Sequence, residues 1–144
     1  MYSSKKAILG MLLIILVFTA FYMFRGDYSL QPSFSDGVFT LDGPQGLFYT
    51  ARFEDIVSLR YEEDMDLGEA LSGGKNYGYL YGEYRNDTIG EYLLCSMSKL
   101  HDYIVVTDAD GSTLAFTADN AEATKNLYDA FLALLREKGC EPEI

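Results

Sequence analysis

From Ala7 to Phe24 the chain runs for 18 residues without a charged side chain, rich in Leu, Ile, Val and Phe and interrupted only by Gly10 and Thr19. As an α-helix this stretch is roughly 27 Å long, close to the ~30 Å hydrocarbon core of a bilayer. It has no polar stripe to turn toward water, which separates it from an amphipathic helix packed on a core. Lys5, Lys6 and Arg25 flank it, as basic residues flank membrane spans. A secretory leader has the same basic start, but its cleavage needs small residues at two positions separated by one. Phe18 stands two before Ala20, and Phe21 to Arg25 offers no small pair. No Cys lies near the end of the segment to accept a lipid. Residues 1–25 are therefore expected to form one uncleaved transmembrane helix, contacting the membrane through Ala7 to Phe24.

The charges around the segment give its expected orientation. Lys5, Lys6 and the terminal amine stand on one side, against Arg25 partly offset by Asp27 on the other. The positive-inside bias puts the N-terminus in the cytoplasm and the rest of the chain outside the cell membrane. All 22 acidic residues follow Arg25, against eight basic ones. A surface that acidic repels nucleic acid and anionic headgroups and favours basic or neutral partners.

After a linker over 26–33 the pattern changes to short alternating runs bounded by turn residues, the signature of antiparallel β-structure. Val38 to Leu41, Leu47 to Arg52 and Ile56 to Tyr61 are predicted strands. The third has Val57, Leu59 and Tyr61 on one face, and Phe53-Glu54-Asp55 makes a corner before it. Glu62 to Asn76 is acidic and then Gly-rich, and reads as a long loop with a helical turn near Leu67 to Leu71. Tyr77 to Tyr84, Glu91 to Met97, Tyr103 to Thr107 and Ser112 to Thr117 complete the strands. Asp108-Ala109-Asp110-Gly111 joins the last two, with Gly111 supplying positive φ.

The last element is a predicted helix opened by Asp119 and Glu122 as a capping box. Ala123, Leu127, Phe131, Leu134 and Leu135 form its apolar face, and Lys138 with Gly139 ends it. The expected domain covers 34–139, with 140–144 as a tail. At about 105 residues it is one domain, large enough for its own core.

The run Arg52-Phe53-Glu54-Asp55-Ile56-Val57-Ser58-Leu59 resembles the strand, tight corner and strand of bacterial pleckstrin-homology-like (PH-like) domains. Gly78, Gly82 with Tyr84, Gly90, Tyr103-Ile104-Val105-Val106, Asp110-Gly111, Phe116 and the closing helix follow in similar order. The resemblance implies a mainly β fold, an antiparallel sandwich or barrel capped by one amphipathic C-terminal helix. It implies a scaffold for binding rather than a reaction, and such domains are often attached to membrane helices.

Chemistry-bearing patterns are sparse. His101 with Asp102 has no Ser in a G-x-S-x-G elbow, so an exposed loop histidine is the simpler reading. Cys95 shares a strand face with Leu93 and Met97, and Cys140 lies beyond the helix. Two isolated cysteines make no zinc pattern, and whether they pair stays open. Asp108 to Gly111 lacks the oxygen ligands of a calcium loop, since Val106 and Thr117 fill those positions. Gly73-Gly74-Lys75 lacks the rest of a phosphate loop. Asp42-Gly43-Pro44-Gln45-Gly46 carries no Lys or Arg, so phosphoinositide binding is not expected. No catalytic residue, metal or cofactor is assigned.

The expected function is a membrane-anchored PH-like interaction module for a protein or peptide partner. A hydrolase with an unrecognised site and a structural subunit for membrane assembly are the alternatives. Tyr77, Tyr79 and Tyr81 project from one face of a predicted strand. They either pack on the core or form the partner surface.

Overall fold

The computed structural model describes the backbone of residues 2–26, 31–76 and 78–144, and the side chains of 4–19, 32–75 and 78–144. Among the described residues, helix α1 (Tyr2–Gly26) is followed by ten strands and one closing helix. The strands are β1 (Gln31–Ser33), β2 (Val38–Asp42), β3 (Phe48–Arg52), β4 (Ile56–Glu62), β5 (Glu69–Ala70), β6 (Gly74–Asn76), β7 (Tyr79–Asn86), β8 (Gly90–Met97), β9 (Tyr103–Asp108) and β10 (Thr113–Phe116). The closing helix is α2 (Ala121–Glu137). The chain beyond α1 is mainly β, in two sheets, with one C-terminal helix.

The expected span in α1 is only partly described. Side chains beyond Thr19, including Tyr22 and Arg25, lie outside the described residues. Among the described residues no helix is long and apolar enough to cross a membrane. Those that are described are uncovered, and the large apolar side chains from Ile8 to Phe18 are 55–70% exposed.

β1, β2 and β3 form a three-stranded antiparallel sheet, and β4-β9-β10-β8-β7-β5 run in that order through a larger one, with β6 also paired to β7. β8 and β10 are parallel, Leu114 lying opposite Leu93 and Phe116 opposite Cys95. The purely antiparallel arrangement expected from the sequence is thus corrected to a mixed sheet. The long chain path from β8 through β9 makes a parallel neighbour possible, because β9 inserts its own hairpin partner β10 beside β8.

The main core fills the space between the small sheet with α2 and one face of the large sheet. Phe39, Leu41, Tyr49 and Ala51 meet Leu59, Cys95, Ile104, Val106, Leu114 and Phe116, with Tyr128, Phe131 and Leu135 from α2. The opposite face of the large sheet holds a second cluster of Tyr92, Leu94, Tyr103, Val105 and Ala115. Met65 and Leu67 pack against it, and the Tyr92 hydroxyl donates to the Leu67 carbonyl at 2.6 Å. The middle strands are therefore buried on both faces, which is why Tyr103 to Val106 and Leu114 to Phe116 read as unbroken apolar runs.

Four sequence expectations change in detail. Glu62 to Asn76 holds no helical turn near Leu67 to Leu71. Instead β5 and β6 pair with β7, and residues between them cross Gly82 so closely that a Cβ on Gly73 or Gly82 would collide with the facing backbone. Second, a bulge between Ile56 and Ser58 rotates Val57 outward to 48% exposure, while Ile56 and Leu59 stay buried. Third, the cap of α2 is Asn120, whose Oδ1 accepts from the Ala123 N–H at 2.7 Å, and not Asp119. Finally, β1 begins inside the expected linker, and the tail is not loose. Glu143 exchanges backbone hydrogen bonds with β4, donating to the Val57 carbonyl at 2.9 Å and accepting from the Leu59 N–H at 2.8 Å.

Candidate functional site

Of the three tyrosines singled out in the sequence, Tyr77 lies outside the described residues. Tyr79 is 8% exposed and belongs to the main core, so packing is its role. Tyr81 follows on the same side of β7, opposite Cys95 of β8, and stays half-buried. Its ring lies beside Gly74, where the absent Cβ leaves it room. Tyr79 and Tyr81 together form a seam between core and edge.

The side chains with chemical potential are separated. His101 is exposed, and only its carbonyl is used, accepting from the Met65 N–H at 3.2 Å. Both cysteines are free thiols. Burial pushes the Cys95 thiol up to about 12, so it remains protonated and packs as an apolar group. Burial, followed by the nearby Asp108 carboxylate, raises the Tyr49 phenol, whose hydroxyl donates to the Ser112 carbonyl at 3.0 Å. Among the described residues no group of three or more His, Cys, Asp or Glu side chains is placed to hold a metal ion.

Among the described residues of the domain, two grooves stand out. One, of about 270 Å³, is lined by Leu71, Glu83, Glu91, Tyr92, Leu93, Ser112 and Thr113. Glu91 at its rim is engaged by Arg85 at 2.5 Å. The other, of about 230 Å³, is lined by Thr50, Ala51, Arg52, Asp55, Asp108, Ala109 and Asp110. It joins the outer side of β3 to the tip of the β9–β10 hairpin, which is tied in place by the Ala109 N–H donating to the Asp55 carbonyl at 2.8 Å.

The second groove has an unpaired strand for a wall. β3 is the terminal strand of the small sheet, with β2 on its only paired side. Leu47 accepts from the Gly43 N–H and Phe53 donates to the Gly37 carbonyl, so the odd-numbered residues of this stretch turn their backbone groups to β2. By the alternation of an antiparallel ladder, the N–H and C=O groups of Phe48, Thr50 and Arg52 point away from it. The Asp108 carboxylate accepts from the backbone N–H groups of Asp110 and Ser112, fixing the opposite wall. Arg52, the one base in the lining, is engaged by Glu54.

Sequence reading assigned Asp55 to a corner and Asp108 and Asp110 to a turn, and both assignments hold. Their meeting beside Thr50 went unseen because it depends on how two sheets dock across more than fifty residues. Comparison of the chain with family models, with curated proteins and with solved structures finds no match.

Proposed function

We propose that the protein is a membrane-anchored interaction module, with α1 in the cell membrane, the N-terminus in the cytoplasm and the β domain outside, binding a protein or peptide partner. The observation that carries this reading is the uncovered apolar surface of α1. From Ile8 to Phe18 its side chains are apolar on every side and exposed, while among the described residues neither core cluster of the domain includes a residue of α1. Eleven consecutive positions of that kind in water would drive aggregation, whereas in hydrocarbon they are the stable arrangement. The Thr19 hydroxyl donates to the Ile15 carbonyl at 2.8 Å and so needs no water.

The PH-like resemblance adds support for a binding scaffold. The order of strands followed by a docked closing helix agrees with it, and the parallel β8–β10 pair departs from it. No catalytic step is part of the proposal. Flotation with phosphatidylcholine vesicles tests the anchor. The full chain is expected in the floating fraction and the Leu12→Lys/Leu16→Lys variant in the pellet or soluble fraction, each Lys costing about 2.5–3.5 kcal/mol at the helix centre. Equal flotation of both would sink the reading.

A further inference from the structure

We propose that the outer edge of β3 receives an extended basic segment of a partner protein as an added strand. This rests on the reading of the domain as an interaction module and names the surface and the partner's chemistry. Three observations converge on it. The backbone groups of Phe48, Thr50 and Arg52 face away from β2 and are open to a new ladder. A groove of about 230 Å³ runs along that edge, leaving space beside it. Its far wall carries Asp55, Asp108 and Asp110, with no free cation in the lining since Arg52 is engaged by Glu54.

The edges of the large sheet are managed differently, and β1, the other edge of the small sheet, carries Pro32. β4 is covered at Val57 and Leu59 by Glu143, and the Tyr128 hydroxyl reaches the Leu59 carbonyl at 3.4 Å. β7 is covered by β5 and β6. β3 keeps an exposed edge with none of the lysines or prolines that usually protect one.

An added strand presents alternate side chains to alternate sides. On the solvent side they lie beside Phe48, which is 54% exposed, and Thr50. On the other side they enter the groove against the three aspartates. The segment that fits alternates apolar and basic residues and spans about five positions, the length of β3. A second copy of this chain is disfavoured as the occupant, because the formal net charge is -11 and two acidic walls would meet.

The probe is a nine-residue peptide alternating Lys and Val, with a Glu–Val counterpart and a Lys–Val version N-methylated on alternate backbone nitrogens. Binding to the full chain in detergent micelles is read by fluorescence anisotropy and by backbone amide shifts. The Lys–Val peptide is expected to bind and shift the amides of Phe48, Thr50 and Arg52, and the other two are expected to fail. Asp55→Asn with Asp110→Asn should weaken binding roughly five- to tenfold, within the range for two exposed ion pairs. Equal binding of the N-methylated peptide would overturn strand addition, and shifts centred on Glu83 and Glu91 would overturn the location. A dimer formed through β3 without peptide would also overturn it. A chain that floats with vesicles yet binds none of the peptides refutes this edge and leaves the anchor intact.

Discussion

Replacing Phe131 by Ala removes a side chain that packs α2 against Phe39 of the small sheet and Phe34 beside it. Phe131 is 1% exposed, and its ring centroid lies 4.8 Å from that of Phe39 and 4.9 Å from that of Phe34, edge-on in the second case. Phe39 in turn lies 5.4 Å from Phe116 of β10. Burial of one Phe contributes roughly 1.5–3 kcal/mol and each favourable ring pair about 0.5–1.5 kcal/mol more. The walls of the hole, built from two sheets and a helix, have little freedom to collapse. A loss of about 4 kcal/mol follows, within the usual span for this substitution. In a domain of this size 1 kcal/mol shifts melting by about 4–8 °C, so the midpoint should fall by roughly 15–30 °C. The assay is thermal unfolding of the full chain in mild detergent, followed by near-ultraviolet circular dichroism, to which ten of the twelve tyrosines contribute from outside α1. Phe131→Leu, which refills most of the volume, should lose only about 1–1.5 kcal/mol. A midpoint for Phe131→Ala within 5 °C of the parent would mean that α2 is not docked as described.

Tyr79→Ser should destabilise the domain by about 3 kcal/mol, because Tyr79 is a core side chain, whereas Tyr81→Ser at its half-buried position should lose about 1 kcal/mol; equal melting of the two variants would contradict the assigned packing. Cys140 should react with iodoacetamide at neutral pH in the native protein and Cys95 only after unfolding, since Cys95 is fully buried and its thiol sits at about 12 instead of 9.0. Burial therefore favours the protonated form of Cys95. Its contribution to stability is fully present below pH 9 and is lost as pH rises from there toward 12, so a Cys95→Ala variant should show a shallower alkaline fall in urea midpoint than the parent. Deleting residues 141–144 should unprotect the Leu59 amide in hydrogen exchange and reduce stability by about 1–2 kcal/mol, the contribution of two backbone hydrogen bonds; unchanged protection would show that the tail does not hold the β4 edge.

The strands that alternate plainly were legible in the sequence. Val38 to Leu41 and Leu47 to Arg52 appear almost where expected, with Tyr49 and Ala51 turned to the core. The Phe53 to Asp55 corner appears as a single 3₁₀ turn. What escaped was set by contacts distant in the chain. β5 and β6 have too little apolar content to announce themselves and exist because β7 offers them a ladder. Val57 fits the alternation on paper, and only the bulge against β9 turns it outward. Asp119 and Asn120 are both capable caps, and Glu122 three residues after Asp119 completes a box on paper one residue before the true cap. Tyr79 and Tyr81 share one side of β7, and their different burial depends on packing against elements distant in the chain. The β3 groove left no local trace, since its acidic wall and its open edge come from different sheets.

Lysine labelling in intact cells tests the central claim most directly, because the basic residues divide between the two expected sides. Lys75, Lys99, Lys125 and Lys138 are exposed on the domain, and Lys5 and Lys6 precede the apolar run. A membrane-impermeant amine reagent is added to cells carrying the full chain, and each lysine is read by mass spectrometry before and after permeabilisation. An anchored domain outside the cell predicts labelling of the four domain lysines at once and of Lys5 and Lys6 only after permeabilisation. Labelling of all six in intact cells would remove the membrane from between them. Labelling of Lys5 and Lys6 alone would reverse the orientation, and labelling of none would place the whole chain inside.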